Sequence, residues 1–304
     1  MNVFVTGATG FLGTELCKVL ERGGGLVVGV GSKDADLKDY RALDKYSHIK
    51  FDRIFHLAAW TQAGDFCVHH PGEQWIINQL INTNVLRWWE EEQPQAKMIS
   101  VGTSCTYEEG GDLCENSYLT GTPITDLFTY AMTKRMLQIG LDSISRQFNL
   151  KYLTVVPSTL YGPSYPVHAG KQMHFIFDLM HKVLANKYHG EDIVLWGNGE
   201  QKRELVFLTD FVSTMLELDT ITENNIVNIG AGKEYSIKYF AESLCAIAGV
   251  DPDEIVYDTS RYVGAKSKCL NIGKLNKLLP DRETTPLTEG LKMTMEWLER
   301  KFFL

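Results

Sequence analysis

Asn2-Val3-Phe4-Val5 runs directly into Thr6-Gly7-Ala8-Thr9-Gly10-Phe11-Leu12-Gly13, and this join decides the fold. The first four residues read as a short buried strand. Leu12, Leu16, Val19 and Leu20 then recur at the spacing of one helix face. Strand, glycine turn and helix form the context in which a glycine motif binds a dinucleotide. Gly7 permits the tight turn. Gly10 brings backbone N–H groups to a pyrophosphate at the positive end of the helix, and Gly13 lets helix and strand pack closely. The spacing is G-x-x-G-x-x-G rather than G-x-G-x-x-G. The predicted architecture is α/β, a Rossmann-type doubly wound parallel sheet. Gly7, Thr9, Gly10, Phe11, Leu12 and Gly13 are its first candidate cofactor contacts.

The second strand is predicted at Leu26–Val30, followed by Gly31-Ser32-Lys33. An acidic residue at this point selects NAD by binding the ribose 2′-hydroxyl. Here Ser32 and Lys33 offer a hydroxyl and an ammonium, which suit a 2′-phosphate, so NADPH is the expected cofactor. The other reading has Asp34 or Asp36 in the acidic role. Asp36 and Leu37 are expected along the adenine. Asp52–Ala59 reads as a further buried strand ending in small residues that let the chain pass close to a cofactor, with Leu57, Ala58 and Ala59 as candidate contacts. His56 reads as a packed, hydrogen-bonded histidine. Pro71–Glu92 is a long helix, and Lys97–Val101 the next strand.

Gly102-Thr103-Ser104-Cys105 stands at the end of that strand, where ligands of doubly wound sheets bind. The Thr103 hydroxyl is placed to hydrogen-bond a substrate carbonyl. Cys105 reads either as a site thiol or as a small buried apolar residue. The segment from Leu127 to Phe148 has helical periodicity in Leu137, Leu141, Ile144 and Phe148, with Met132, Met136 and Ile139 as a second stripe. Tyr130 and Lys134, four apart, lie on one face. An ammonium beside a phenol favours the phenolate, and a shift from ~10 to ~7 requires ~4 kcal/mol. The pair is thus a candidate acid–base couple, with Tyr130 as proton donor and Lys134 as its modulator.

The bulk properties exclude several classes. Net charge is −8, from 30 basic and 38 acidic residues in a chain of 304. There is no basic run, so neither nucleic acid nor a membrane surface is an expected partner. No apolar run reaches the ~18 residues of a membrane span, and the first residues lack a signal-peptide layout. The six cysteines are scattered, with no zinc or disulfide spacing. A cytoplasmic location is expected.

Lys151–Val156 is predicted as a strand ended by Pro157. After it the alternation of strand and helix loosens. Residues 1–160, with the sheet completed by segments around 204–230, are expected to form the NADP-binding domain. Residues 161–304 are expected to form mainly a smaller α/β substrate lobe. Its predicted elements are a helix at Phe175–Leu184 begun by His174, strands at Ile193–Gly199, Arg203–Phe207, Ile255–Tyr257 and Cys269–Ile272, helices capped by Asp210 and Ser236, and a closing helix at Leu287–Phe302.

Five spaced motifs occur in order: Thr6–Gly13, His56-Leu57-Ala58-Ala59, Thr103, Tyr130-x-x-x-Lys134 and Leu160-Tyr161-Gly162-Pro163. Together they resemble the extended short-chain dehydrogenases/reductases, enzymes that mostly act on nucleotide sugars, over nearly the whole chain. Ser32–Leu37, Gly102–Cys105 and Trp196-Gly197-Asn198-Gly199 with Lys202-Arg203-Glu204 resemble more narrowly the GDP-L-fucose synthase family, 3,5-epimerases and 4-reductases of a GDP-4-keto-6-deoxy sugar. That resemblance implies NADPH contacts from Lys134, Pro157, Thr159, Leu160 and His174. It implies an epimerisation pair in Cys105 and His174, and nucleotide-sugar contacts from Lys182, Trp196, Arg203 and Lys268. It also implies a homodimer packed through the Pro71 and Tyr130 helices. The chain departs from the family at Thr159 (usually asparagine), at Phe177 (usually proline) and over Ser164–Met173. A reductase without epimerase activity on a related GDP-hexose or heptose remains open. So do a UDP-sugar 4-epimerase or dehydratase with bound NAD, and a non-catalytic cofactor sensor.

Overall fold

The computed structural model describes residues 1–167, 172–260 and 266–304. Its strands are β1 (Asn2–Thr6), β2 (Leu26–Val30), β3 (Arg53–His56), β4 (Lys97–Val101), β5 (Tyr152–Pro157), β6 (Thr159–Tyr161), β7 (Ile193–Trp196), β8 (Lys202–Arg203), β9 (Leu205–Phe207), β10 (Asn225–Ile229), β11 (Tyr235–Ser236) and β12 (Ile255–Asp258). Its α-helices are α1 (Phe11–Arg22), α2 (Phe66–His69), α3 (Pro71–Glu92), α4 (Phe128–Phe148), α5 (Phe175–His189), α6 (Leu208–Ile221), α7 (Ile237–Ala248), α8 (Gly273–Leu278) and α9 (Leu287–Phe302).

The main sheet has six strands in the order β2-β1-β3-β4-β5-β10, and every pair is parallel. The chain moves outward from β1 to β2 and then crosses back to β3 on the other side of β1. Strand order therefore reverses at β1, and a crevice opens beyond the carboxyl ends of β1 and β3. Side chains alternate along each strand. Val3, Val5, Phe55, Ile99 and Leu153 face α1 and α6, meeting Leu16, Phe211 and Met215. Phe4, Ile54 and Met98 face α3 and α4, meeting Val85, Trp88, Trp89 and Leu141. Both sheet faces are covered, which is why these strands are almost continuously apolar.

A further apolar cluster is built by α5, α7 and α9 around Phe177, Met180, Leu244 and Leu298. Beside it β7 pairs with β12, and β6 pairs with β9. Several expected elements change here. α5 runs on to His189 and ends at Gly190, whose φ of +69° supplies the left-handed cap. Asp210 is not a cap, because α6 already begins at Leu208; its carboxylate instead accepts from Thr285 N (2.7 Å) and Oγ1 (2.8 Å). Cys269–Ile272 is not a strand, since the Leu270 N–H goes to the Glu204 carboxylate rather than to a neighbouring backbone. Glu204 also interrupts the expected Arg203–Phe207 strand, leaving β8 and β9. Ser236 does cap α7, accepting from Tyr239 N at 3.0 Å. Among the described residues no helix is long and apolar enough to cross a membrane.

Candidate active site

The glycine turn and β3 close on each other at the sheet reversal. Gly7 has φ +68°, and a Cβ there would lie 2.8 Å from Ala58 N. No side chain other than hydrogen fits. Thr6 Oγ1 fixes this approach by accepting from the N–H groups of both Leu57 and Ala58 (3.2 Å each). Those bonds end β3 at His56, short of the expected Ala59. With two N–H donors already on it, Thr6 Oγ1 gives its own proton to His56 Nδ1 (2.9 Å). His56 Nε2–H then donates to Asn82 Oδ1 (3.1 Å) on α3, and Asn82 Nδ2 reaches Thr133 O on α4. Burial, then the Lys134 charge, hold the His56 pKa at about 4, so the ring is neutral. His56 is a tie between four elements.

A cleft of about 580 Å³ opens over this junction. Gly7, Thr9, Gly10, Ser32, Asp36, Leu37, Leu57, Ala58 and Ala59, all expected there, line it. Gly10 precedes α1 without a side-chain cap, so backbone N–H groups of the first turn face outward for an anion. The cleft and its cradle fit a dinucleotide. Phe11, Leu12 and Gly13 are not in the lining: Phe11 packs edge-on against Tyr165 and Phe177, and Leu12 packs in the core. Gly13 sits where a Cβ would be 2.2 Å from Gly7 O, so its role is close packing. Lys33 is exposed and also absent from the lining; Lys38 lines the wall instead and pairs with Asp36 at 3.3 Å. Asp34 is committed to the turn, accepting from Gly31 N at 2.9 Å. Sequence reasoning missed Lys38 because no strand or helix fixes the register of residues 31–38.

At the end of β4, Thr103 caps a short 3-10 turn, its Oγ1 accepting from Cys105 N (3.3 Å). Thr103 and Cys105 are both buried. Lys134 rises from α4 and donates to Val101 O at 2.7 Å. Burial holds its pKa at about 8. Tyr130 is half-buried, and desolvation, followed by the neighbouring Cys105, Tyr118 and Cys67, pushes its phenol well above the ordinary value. Desolvation outweighs the lowering expected from Lys134, whose ammonium donates to the Val101 carbonyl. Tyr130 is therefore a proton-bearing group at neutral pH. Cys67 on α2 was not anticipated; it is buried, accepts from Gln74 Nε2 (3.1 Å), and lies near enough to Tyr130 and Cys105 to act on both. Nothing in its sequence context marked it.

Lys268 donates to Cys105 Sγ at 3.1 Å. Its charge is also felt by His174, whose pKa is held down first by desolvation and then by Lys268. Lys268 thus acts on both expected epimerisation residues. His174 precedes α5, its carbonyl accepting from Phe177 N and Asp178 N. Pro157, Thr159 and Leu160 follow from β5 into β6, on the same side as the Glu204 segment. Trp196 is exposed at the end of β7, and Arg203 lies on β8 beside Glu234. Lys182 is engaged elsewhere, with Asp178 (2.8 Å) and Val194 O (3.1 Å).

Residues 3–230 match the model of the NAD dependent epimerase/dehydratase family. The chain is 26% identical to GDP-L-fucose synthase of Escherichia coli, covering 97% of this chain and 96% of that protein. It is 26% identical to GDP-L-colitose synthase of Yersinia pseudotuberculosis, covering 98% and 97%. A solved GDP-L-fucose synthetase from Naegleria fowleri bound to NADP superposes with a TM-score of 0.85 at 26% identity, covering 99% of this chain and 93% of that one.

Proposed function

Because the chain belongs to the NAD dependent epimerase/dehydratase family, we propose that it uses NADPH to reduce the C4 ketone of a GDP-linked 4-keto-6-deoxy sugar, after inverting C3 and C5. The observation that carries this reading is the gathering of Thr103, Tyr130, Lys134, Cys105 and Lys268 around the end of β4, with His174 within reach of the Lys268 charge. GDP-sugar names among the relatives support the nucleotide.

Gly7, Thr9, Gly10 and the α1 N-terminus hold the cofactor pyrophosphate, and Ser32 with Lys38 receives the 2′-phosphate. When bound, the nicotinamide supplies a hydride to the ketone carbon. Tyr130 donates its proton to the forming alkoxide. The Thr103 hydroxyl donates to the same oxygen and fixes it. Lys134 compensates the charge left on Tyr130 and holds the nicotinamide ribose. Epimerisation removes a proton next to the ketone and returns one to the other face; Cys105 and His174 perform these two transfers. Arg203 and Lys268 face the diphosphate, Trp196 packs on the nucleotide, and the Asp178-bound Lys182 contributes less.

The lobe from residue 161 onward carries the sugar. The molecule is a homodimer through α3 and α4, whose exposed Trp75, Ile76, Leu80, Met136 and Ile139 form an apolar face. NADPH oxidation against a panel of GDP- and UDP-4-keto-6-deoxy sugars tests the reading. Turnover confined to UDP sugars would contradict it. Reduction without deuterium uptake at C3 and C5 in D2O would leave a reductase alone.

A further inference from the structure

Residues 266–270 form no regular element, yet they are tied at almost every step. Lys202 N donates to Lys266 O at 2.8 Å. Ser267 Oγ lies 2.9 and 2.8 Å from the two carboxylate oxygens of Glu234, and Lys268 N donates to Glu234 Oε2 at 3.2 Å. Leu270 N donates to Glu204 Oε2 at 2.9 Å. The two acids differ. Glu204 is 1% exposed and also takes the Gly232 N–H at 2.6 Å, so it is a buried anchor for the backbone. Glu234 is only half-buried and grips the residue whose side chain reaches Cys105. It also precedes Tyr235, which pairs with Arg203 across β11 and β8, and its charge acts on that guanidinium. One carboxylate thus holds the backbone of Lys268 and acts by its charge on Arg203, the two cations assigned to the diphosphate.

We propose that Glu234 is a positioning residue that fixes Lys268, and with it the spacing of Lys268 from Arg203, so that a nucleoside diphosphate meets a preformed pair of cations. This rests on the GDP-sugar reading above. A carboxylate suits the task because it accepts from the Ser267 hydroxyl and the Lys268 N–H together while offsetting repulsion between the two cations. Glu234 is only part-buried, so its loss leaves the fold intact.

The test is calorimetric titration of the full chain with GDP, and separately with NADPH, for wild type, Glu234→Gln, Glu234→Ala, Lys268→Met and the Glu234→Ala/Lys268→Met pair. Glu234→Ala is expected to bind GDP about tenfold more weakly, with NADPH affinity unchanged. Glu234→Gln, which keeps an acceptor oxygen, is expected to recover most of that loss. In the double variant the Glu234 effect shrinks by at least about half, because one of its two targets is gone. GDP affinity unchanged in Glu234→Ala, equal losses for GDP and NADPH, or full additivity with Lys268→Met would each overturn the positioning role while leaving the GDP reading intact. A wild-type chain that binds NADPH but no GDP would overturn both.

Discussion

Burial holds the Lys134 pKa at about 8, against 10.5 for an ordinary lysine. Keeping its ammonium charged at neutral pH therefore costs about 3 kcal/mol. The unfolded chain binds this proton up to pH 10.5 and the folded chain only to about 8, so stability rises with pH between those values. Turnover moves the other way, because the ammonium that compensates Tyr130 is lost. We expect kcat to fall above pH about 8 while denaturant midpoints hold or increase; a kcat flat to pH 10 would remove Lys134 from the chemistry. Lys134→Met should abolish reduction without lowering the thermal midpoint. His56 gives the acid-side counterpart. Its folded pKa of about 4 lies below the ordinary 6.5. Its contribution is whole above pH 6.5 and is lost as pH falls through 4, about 3 kcal/mol in all. Urea unfolding at several pH values should show a shallower acid slope in His56→Gln than in wild type. At this scale the sequence brought Tyr130 and Lys134 to one face, because both ride on a regular helix with known periodicity, α4. It did not announce where the Lys134 ammonium points, or that Cys67 comes near Tyr130, because both depend on packing between segments far apart in the chain.

One side chain gathers three carbonyls from the two ends of the long segment between β4 and α4. The Arg135 guanidinium donates to Gly121 O (2.8 Å), Thr106 O (2.5 Å) and Thr120 O (2.5 Å). Arg135 is buried, so its removal leaves these carbonyls without their donor, at about 1–3 kcal/mol for each that water does not reach. Arg135→Met is expected to destabilise by about 3 kcal/mol in urea and to open residues 108–125 to protease. Unchanged stability would show that water replaces the guanidinium freely. Elements with strong period were readable to the residue: α3 at Pro71–Glu92, β4 at Lys97–Val101 and α9 at Leu287–Phe302 stand where the pattern put them. Glu204 and Leu270 show why the later part was harder. A buried carboxylate satisfies backbone N–H groups there, so an apolar run that looked like a strand needs no strand partner.

Seen whole, the chain places one reversal of strand order at β1 and puts its glycine turn there, so the cofactor site follows from topology as much as from motif. The apolar face of α3 and α4 belongs to the same scale. Sedimentation of the wild type is expected to show a dimer, and Ile139→Glu a monomer; a wild-type monomer would leave that face without its proposed partner. The central claim is that Tyr130 gives a proton during NADPH-dependent reduction of a GDP-linked 4-keto-6-deoxy sugar. Its most direct test compares NADPH oxidation by wild type and Tyr130→Phe with GDP-4-keto-6-deoxy-mannose. Stoichiometric oxidation is expected of the wild type, and a rate at least about a hundredfold lower of a variant that still binds NADPH. Full turnover by Tyr130→Phe, or no oxidation by the wild type with any GDP-4-keto sugar, would contradict it.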